Sequence, residues 1–290
     1  MNKNLLFTLV ALVFSTVSCK NESPDNPTND NTINIVASIA PLSRAPQLGN
    51  DGSGSFTKGD MMSLFITKEN DQKLSVDYSY GVDNTSWGEL GLTEETKKIS
   101  LSAVYPQQKK HQEGIFEFNT LTADEKDLLL ADPQELISGS DHTVYLTFRH
   151  AMHKINFKFT CGNGVTEDDI QSLSFVLNAK TSCMIDAAEA VIKELKSDKG
   201  DYESTGDKAT FYLVPQPTSD ITLNITVGGK SEQIALDKLL QQLDTPHAEL
   251  KGGQCTSLTL KINSNSITIE SGTIGGWVNQ DTIDGEVTIG

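Results

Sequence analysis

His150 and His153 stand three residues apart, a spacing that on a helix would put two imidazoles on one face and could hold zinc. The residues around them deny that geometry. Val144, Leu146 and Phe148 alternate before them and Ile155, Phe157 and Phe159 after them, so the chain reads as strands, in which positions three apart point to opposite faces. No other His or Cys supplies a convincing third ligand, and no metal site is expected. Glu167-Asp168-Asp169, and Asp201, Glu203 and Asp207, read as solvated acidic turns without the ordered oxygen spacing of a calcium loop. Serines have no nucleophile-elbow context, and no glycine-rich phosphate loop follows a strand and opens a helix. With no acid, base or nucleophile in a recognisable setting, neither catalysis nor a cofactor is expected. Trp87, beside Asn84-Thr85-Ser86, reads as an exposed aromatic able to stack on a sugar.

The residue with the clearest chemistry is Cys19. A short segment carrying Lys3 precedes an apolar run over residues 5–14, too short to span a bilayer, and Thr16-Val17-Ser18-Cys19 follows. Small residues directly before a cysteine resemble the lipobox of bacterial lipoproteins, although Thr16 stands where leucine is usual. The resemblance implies cleavage before Cys19 and acylation of its thiol, and two or more acyl chains hold a protein to a membrane where one does not. Of the remaining cysteines, Cys161, Cys183 and Cys255 have no CxxC spacing. An odd number in an exported chain leaves at least one thiol unpaired; buried structural thiols are expected, with a Cys161 to Cys183 bridge left open.

The formal charge of −16 becomes −17 once Lys3 is removed, and such an acidic surface repels phosphate backbones, which argues against nucleic acid as a partner. Only Arg44 and Arg149 are arginines among 23 basic residues, so an arginine-specific protease has few places to cut. The 290-residue chain is long enough for two ordinary domains or one large sandwich.

The elements that must carry these residues are mostly strands. Residues 20–31, KNESPDNPTNDN, hold no apolar side chain and form a tether. Ile33, Ile35, Ala37 and Ile39 then alternate with more polar positions, the signal of a half-buried strand. Residues 43–55 form a loop containing Arg44, and Phe56-Thr57-Lys58-Gly59-Asp60 turns into an apolar strand over residues 61–66. Further strands are expected near residues 74–80, 99–105, 173–177, 211–214, 221–227 and 258–262, the last pairing with 267–269 around Asn263-Ser264-Asn265. Helical character is read over residues 123–130, 184–195 and 234–243. Between Arg149 and Lys154 the apolar face flips, which requires a bulge or a change of sheet, and a domain boundary is placed there. The organisation expected is thus a leader over 1–18, the tether over 19–31, and two β-sandwich domains over 32–151 and 152–290.

The order of motifs carries a resemblance. Arg44-Ala45 after a strand, Phe56-x-x-Gly59-Asp60, Leu146-x-Phe148-x-His150-Ala151, Leu213-Val214-Pro215-Gln216, Gly252-Gly253 before the 258–262 strand, and Ile274-x-x-Trp277 resemble the fimbrillin-like lipoproteins of Bacteroidetes. That resemblance implies an all-β fold of two tandem transthyretin-like sandwiches with minor helical decorations, and a core position for Trp277. It also implies a surface lipoprotein of the outer membrane, serving as a subunit or accessory adhesin of a pilus. Its implied partners are other pilus subunits through strand exchange, the outer membrane through the lipid on Cys19, and host or bacterial surface ligands. In polymerising members an arginine-specific protease removes the first strand and a neighbour's strand fills the groove, which makes Arg44 the candidate cleavage site and residues 33–39 the expendable strand. A monomeric surface lipoprotein binding glycan is the alternative.

Overall fold

Alternating and continuous apolar runs become strands throughout this computed structural model, which describes residues 32–40, 55–93, 96–108, 114–137, 143–243 and 247–276. The first half carries β1 (Thr32–Ile39), β2 (Met61–Lys68), β3 (Lys73–Ser79), β4 (Thr85–Ser86), β5 (Lys98–Tyr105), β6 (Ile115–Asn119), β7 (Leu129–Ile137) and β8 (Thr143–His150). The second carries β9 (His153–Cys161), α1 (Glu167–Gln171), β10 (Ser174–Lys180), β11 (Ser182–Asp186), β12 (Val191–Leu195), β13 (Lys199–Thr205), β14 (Lys208–Leu213) and β15 (Gln216–Pro217). A 3-10 turn over Thr218–Asp220 leads to β16 (Thr222–Val227), β17 (Lys230–Ala235), α2 (Leu236–Leu240), β18 (Glu249–Leu250), β19 (Gln254–Asn263) and β20 (Ser266–Gly276). No helix among the described residues is long and apolar enough to cross a membrane.

Seven strands form one sheet in the order β3-β2-β5-β7-β8-β1-β4. Its two ends face each other. β7 and β8 pair over only three positions, Leu129↔His150 to Ala131↔Phe148, and beyond them the strands part. Ile33, Ile35 and Ala37 of β1 and Val144, Leu146 and Phe148 of β8 therefore share one core with Met62, Leu64 and Ile66 of β2 and Ile99, Leu101 and Ala103 of β5. The opposite face of β2 and β5, through Phe65 and Val104, packs in a second core with Phe116 and Phe118 of β6 and Cys183 and Ile185 of β11. Parts of β2, β5 and β7 are thus covered on both faces, which explains the consecutive apolar residues Leu64-Phe65-Ile66, Ala103-Val104 and Leu129-Leu130-Ala131. The three-stranded covering sheet, β12-β11-β6, takes β6 from one half of the sequence and the β11–β12 hairpin from the other.

The apolar flip after Arg149 is a change of sheet. β8 ends at His150, and β9 begins at His153 in a different sheet, β14-β9-β19-β20. This sheet faces β13-β10-β16-β17 across a third core that includes Phe157, Phe159, Phe175, Phe211, Leu223 and Leu260. Two four-stranded sheets closed face to face over interdigitating side chains make a β-sandwich. The hairpin expected around residues 263–265 is present as β19–β20, and a second hairpin, β16–β17, turns at Gly228-Gly229.

Three local expectations are corrected. Residues 123–130 form turns and the start of β7, because Leu128 and Leu130 enter one core and Leu129 another, as a doubly covered strand demands. Residues 184–195 are the β11–β12 hairpin, with Ala190 at φ +54° in its turn, so tertiary pairing overrides alanine's helix propensity. The 234–243 stretch is helical only over α2, whose Leu236, Leu239 and Leu240 enter the sandwich core. The acidic run Glu167-Asp168-Asp169 is the first turn of α1, closed by a reciprocal Thr166–Asp169 capping box. Bonds from the Thr166 amide and hydroxyl hold the Asp169 carboxyl below the usual carboxylate range. Cys161, Cys183 and Cys255 are free thiols, so the Cys161 to Cys183 bridge left open by the sequence does not form.

Candidate functional site

β1 is an eight-residue strand with polar and half-buried residues outward and Ile33, Ile35 and Ala37 buried inward. It runs parallel to β8 in register from Asn34↔Thr143 to Ile39↔Phe148, and the Ala40 amide extends the contact by donating to the Phe148 carbonyl at 2.7 Å. Its other edge is thinly covered. β4 pairs only with Thr32 and Ile33, and further along an isolated Ser38↔Ser55 bridge is the remaining pairing among the described residues. Behind β1 lies an apolar trough containing Leu64, Leu90, Leu146 and Trp87, with Phe56 tilted against Phe148 at a ring-centroid distance of 4.8 Å. Withdrawing β1 would expose one edge of β8 and this trough together. A replacement strand with aliphatic side chains at every second position can satisfy both. The burial of Ile33, Ile35 and Ala37 contributes about 4 to 7 kcal/mol as an upper figure, so the strand is held firmly until something competes for its place.

The residues that carried the family resemblance act as structural fasteners. Thr57 and Asp60 close the turn before β2, the Thr57 amide donating to Asp60 Oδ2 at 2.7 Å with Gly59 at φ +100°. His150 meets Asp127 Oδ2 through Nδ1 at 2.7 Å. Gln216 is wholly buried, accepting from the Lys180 amide at 2.9 Å and donating to the Lys180 and Val214 carbonyls at 3.1 and 3.0 Å. Gly252 is required by close approach, since a Cβ there would lie 2.5 Å from the Ala151 carbonyl oxygen. All of these except the turn at Asp60 gather where the chain passes from β8 to β9.

His153 belongs to the same joint. Its ring is fully buried, with Nδ1 2.9 Å from the Lys251 carbonyl and Nε2 2.9 Å from Thr256 Oγ1. A neutral imidazole donating from Nδ1 and accepting at Nε2 satisfies both partners. Burial pushes the pKa down to about 4, opposed by the Lys251 carbonyl and aided by His247. Neither histidine joins a metal-binding group of three or more His, Cys, Asp or Glu among the described residues. Cys183 is likewise buried, which pushes its thiol up to about 12. Arg149 donates from Nε to Asp132 Oδ1 at 3.1 Å and from a terminal nitrogen to the Ala190 carbonyl. Strand pairing and these contacts make it a poor protease substrate.

Trp87 corrects the sequence expectation: only 3% exposed, it is part of the core behind β1 and offers no platform to a sugar. What buries it is tertiary, the pairing of Thr85–Ser86 with the start of β1. Cys19, Arg44 and Trp277 lie outside the described residues. The sequence also gave no sign of which strand would hold β1, because β8 is about a hundred positions away in the chain.

Comparison with solved structures finds the same fold in candidate cell adhesion proteins from two species of Bacteroides and one of Parabacteroides. One from Bacteroides uniformis has a TM-score of 0.63 at 14% identity, covering 86% of this chain and 100% of the other. One from Bacteroides ovatus has a TM-score of 0.60 at 16% identity over 86% and 99%. One from Parabacteroides distasonis has a TM-score of 0.52 at 8% identity over 85% and 97%. No curated protein matches the sequence. The fimbrillin-like family model, by contrast, matches residues 43–277, and the chain belongs to the fimbrillin-like family.

Proposed function

We propose that this protein is a structural subunit or accessory adhesin of a cell-surface pilus, exported as an outer-membrane lipoprotein through Cys19 and matured by cleavage after Arg44 followed by strand exchange. Family membership supports the pilus or adhesin role. The single observation that favours strand exchange is β1 itself: an apolar strand at the thinly covered margin of its sheet, followed directly by the loop that carries Arg44. In this reading the chain comprises two tandem transthyretin-like domains, 32–151 and 152–290, with separate cores on either side of the β8–β9 passage and a third core joining them. Cleavage alone does not release β1, since its ladder and buried side chains stay in place; a donor must compete. The C-terminal residues 285–290, with alternating Val287 and Ile289, are a short candidate donor outside the described residues.

Arg44→Ala is expected to block conversion to a chain beginning at Ala45 and, in a shaft subunit, to abolish SDS-resistant ladders. N-terminal sequencing of protein from native cells reads the outcome directly. An Arg44→Ala chain that still begins at Ala45, or polymers that retain residues 33–39, would overturn the cleavage reading.

Cys19→Ala is expected to move the precursor from washed membranes to the soluble fraction, because residues 20–31 contain no amphipathic or strongly basic stretch to serve as a second attachment. Retention of the variant on membranes would remove lipid as the anchor.

A further inference from the structure

Tyr145 is the one exposed aromatic side chain among the described residues, 67% exposed in the middle of β8. Thr143 and Thr147 flank it on the outer side of the strand, and the register sets Asn34, Val36 and Ser38 of β1 opposite the three. This face is open to solvent: Asn34, Ser38, Tyr145 and Thr147 are exposed, and Val36 and Thr143 half-buried. Parallel strands are ordinarily buried on both faces, so a parallel pair with one open face is unusual. Away from β1, the β7 ladder ends at Ala131↔Phe148, and Gln134 reaches back to donate from Nε2 to the Tyr145 carbonyl at 2.8 Å. The β1 ladder and Gln134 thus fix the backbone that carries the ring before any ligand arrives, which lowers the entropic loss on binding.

Charge and size narrow what this face can hold. Asn34, Ser38, Thr143 and Thr147 are uncharged side chains that both donate and accept. The acidic side chains of β7 are already paired, Asp132 with Arg149 and Glu135 with Lys98. On a chain of formal charge −16 this is a neutral island, complementary to an uncharged ligand. From Asn34 to Ser38 it runs roughly 13 Å, across two strands about 5 Å apart. A stable protein interface needs about 800 Å² on each partner and an apolar centre. Here one ring and one valine supply the apolar surface, which suits a small ligand with a flat C–H face and hydroxyls at its rim.

We propose that the outer face of β1 and β8 binds a neutral β-linked oligosaccharide, one pyranose ring stacked on Tyr145 and its hydroxyls bonded to Asn34, Thr143 and Thr147. A hexopyranose with equatorial substituents turns its axial C–H bonds to the faces of the ring and its hydroxyls to the rim. The negative face of the tyrosine ring attracts those C–H bonds, while the rim meets the surrounding amide and hydroxyls. By contrast, the cavity of about 430 Å³ between the β16–β17 and β19–β20 turns has no aromatic side chain in its lining. The inference deepens the adhesin side of the proposed function and rests on that reading. Half of the face comes from β1, so exchange of that strand would replace Asn34, Val36 and Ser38 by the donor's side chains. The site therefore belongs to the chain that retains residues 32–39.

The test is NMR on the Arg44→Ala chain, residues 20–290, labelled at Tyr rings and at Val and Thr methyls. Cellotetraose or β-1,4-galactotetraose at up to about 10 mM should shift the Tyr145 ring and the Val36 and Thr147 methyls saturably. A β-linked tetrasaccharide carrying carboxylates should bind about tenfold more weakly, being repelled by the acidic chain. Tyr145→Phe keeps the stacking face and should keep the methyl shifts. Tyr145→Ala should weaken binding about tenfold or more with the rest of the spectrum in place, and Asn34→Ala should weaken it less. Absence of shifts with both neutral sugars, equal binding of the charged one, or undiminished shifts in a folded Tyr145→Ala chain would each overturn the proposal. So would Tyr145 shifts that follow protein concentration without sugar, which would assign the face to a second copy of the chain. Because this chain lacks the arginine at 44, a negative result leaves the cleavage and strand-exchange reading intact, and failure of cleavage in native cells leaves this one intact.

Discussion

Deleting residues 32–39 is expected to collapse the first core, and adding the peptide TINIVASI is expected to restore it. The deletion removes Ile33, Ile35 and Ala37 from a cluster in which they meet Leu64, Leu146 and Phe148, and leaves an edge of β8 from Thr143 to Phe148 without its ladder. The apolar loss of about 4 to 7 kcal/mol is comparable with the entire stability of an ordinary domain, about 5 to 15 kcal/mol. Truncated protein should therefore unfold its first half at ambient temperature while the second sandwich, whose core contains none of these residues, persists. Near-UV circular dichroism and hydrogen exchange separate the two responses. Peptide rescue is the sharper measurement. Backbone pairing with β8 and three inward side chains should return protection to Val144, Leu146 and Phe148, whereas a peptide with Ile35→Asp should fail because it places a charge in the trough. A truncated chain that retains its stability and ignores the peptide would show that β1 is dispensable to the core, and strand exchange at this site would lose its physical basis.

Acid should weaken the joint around His153 by about 3 kcal/mol between pH 7 and pH 4. In the folded chain burial holds this imidazole at about 4, against 6.5 for the free group. As pH falls below 6.5 the unfolded chain takes up a proton that the folded chain refuses, so the stability present above 6.5 is progressively lost on the way down to 4. The drop approaches about 1.4 kcal/mol per pH unit across that window. His153→Gln can keep a hydrogen bond to the Lys251 carbonyl or to Thr256 but does not titrate there. The variant is expected to begin less stable at pH 7 and to lack this part of the acid slope. Urea melts of the two proteins at pH 7, 6, 5 and 4 check the difference. Parallel slopes through the whole range would mean that the buried imidazole does not govern acid stability.

Reading the chain alone was most successful where burial is set by local pattern. Alternation at Ile33, Ile35 and Ala37, at Phe175 and Leu177, and at Leu258, Leu260 and Ile262 marked strands because a half-buried strand must show one face to the core at every second residue. The same rule required a bulge or a change of sheet between Arg149 and Lys154, and the structure makes it a change of sheet. It failed at residues 128–130, where three successive leucines serve two cores and periodicity carries no strand signal. It failed again at residues 184–195, where alanine-rich composition reads as helix and only pairing with β6 makes a hairpin.

The candidate sites divide in the same way. The covalent chemistry proposed for Cys19 and Arg44 rests on short, contiguous residues and needs no fold to be suspected. The place of β1 between β8 and the two-residue β4, the burial of Trp87 and the cavity between the β16–β17 and β19–β20 turns depend on contacts between segments distant in the chain, and tertiary structure alone decides them. Charge and side-chain alternation by themselves determined an acidic, strand-rich chain, because both are local properties. Which strand lies at a margin, and which aromatic faces solvent, follow from the order in which strands pair, a choice made by the burial of distant apolar faces against one another.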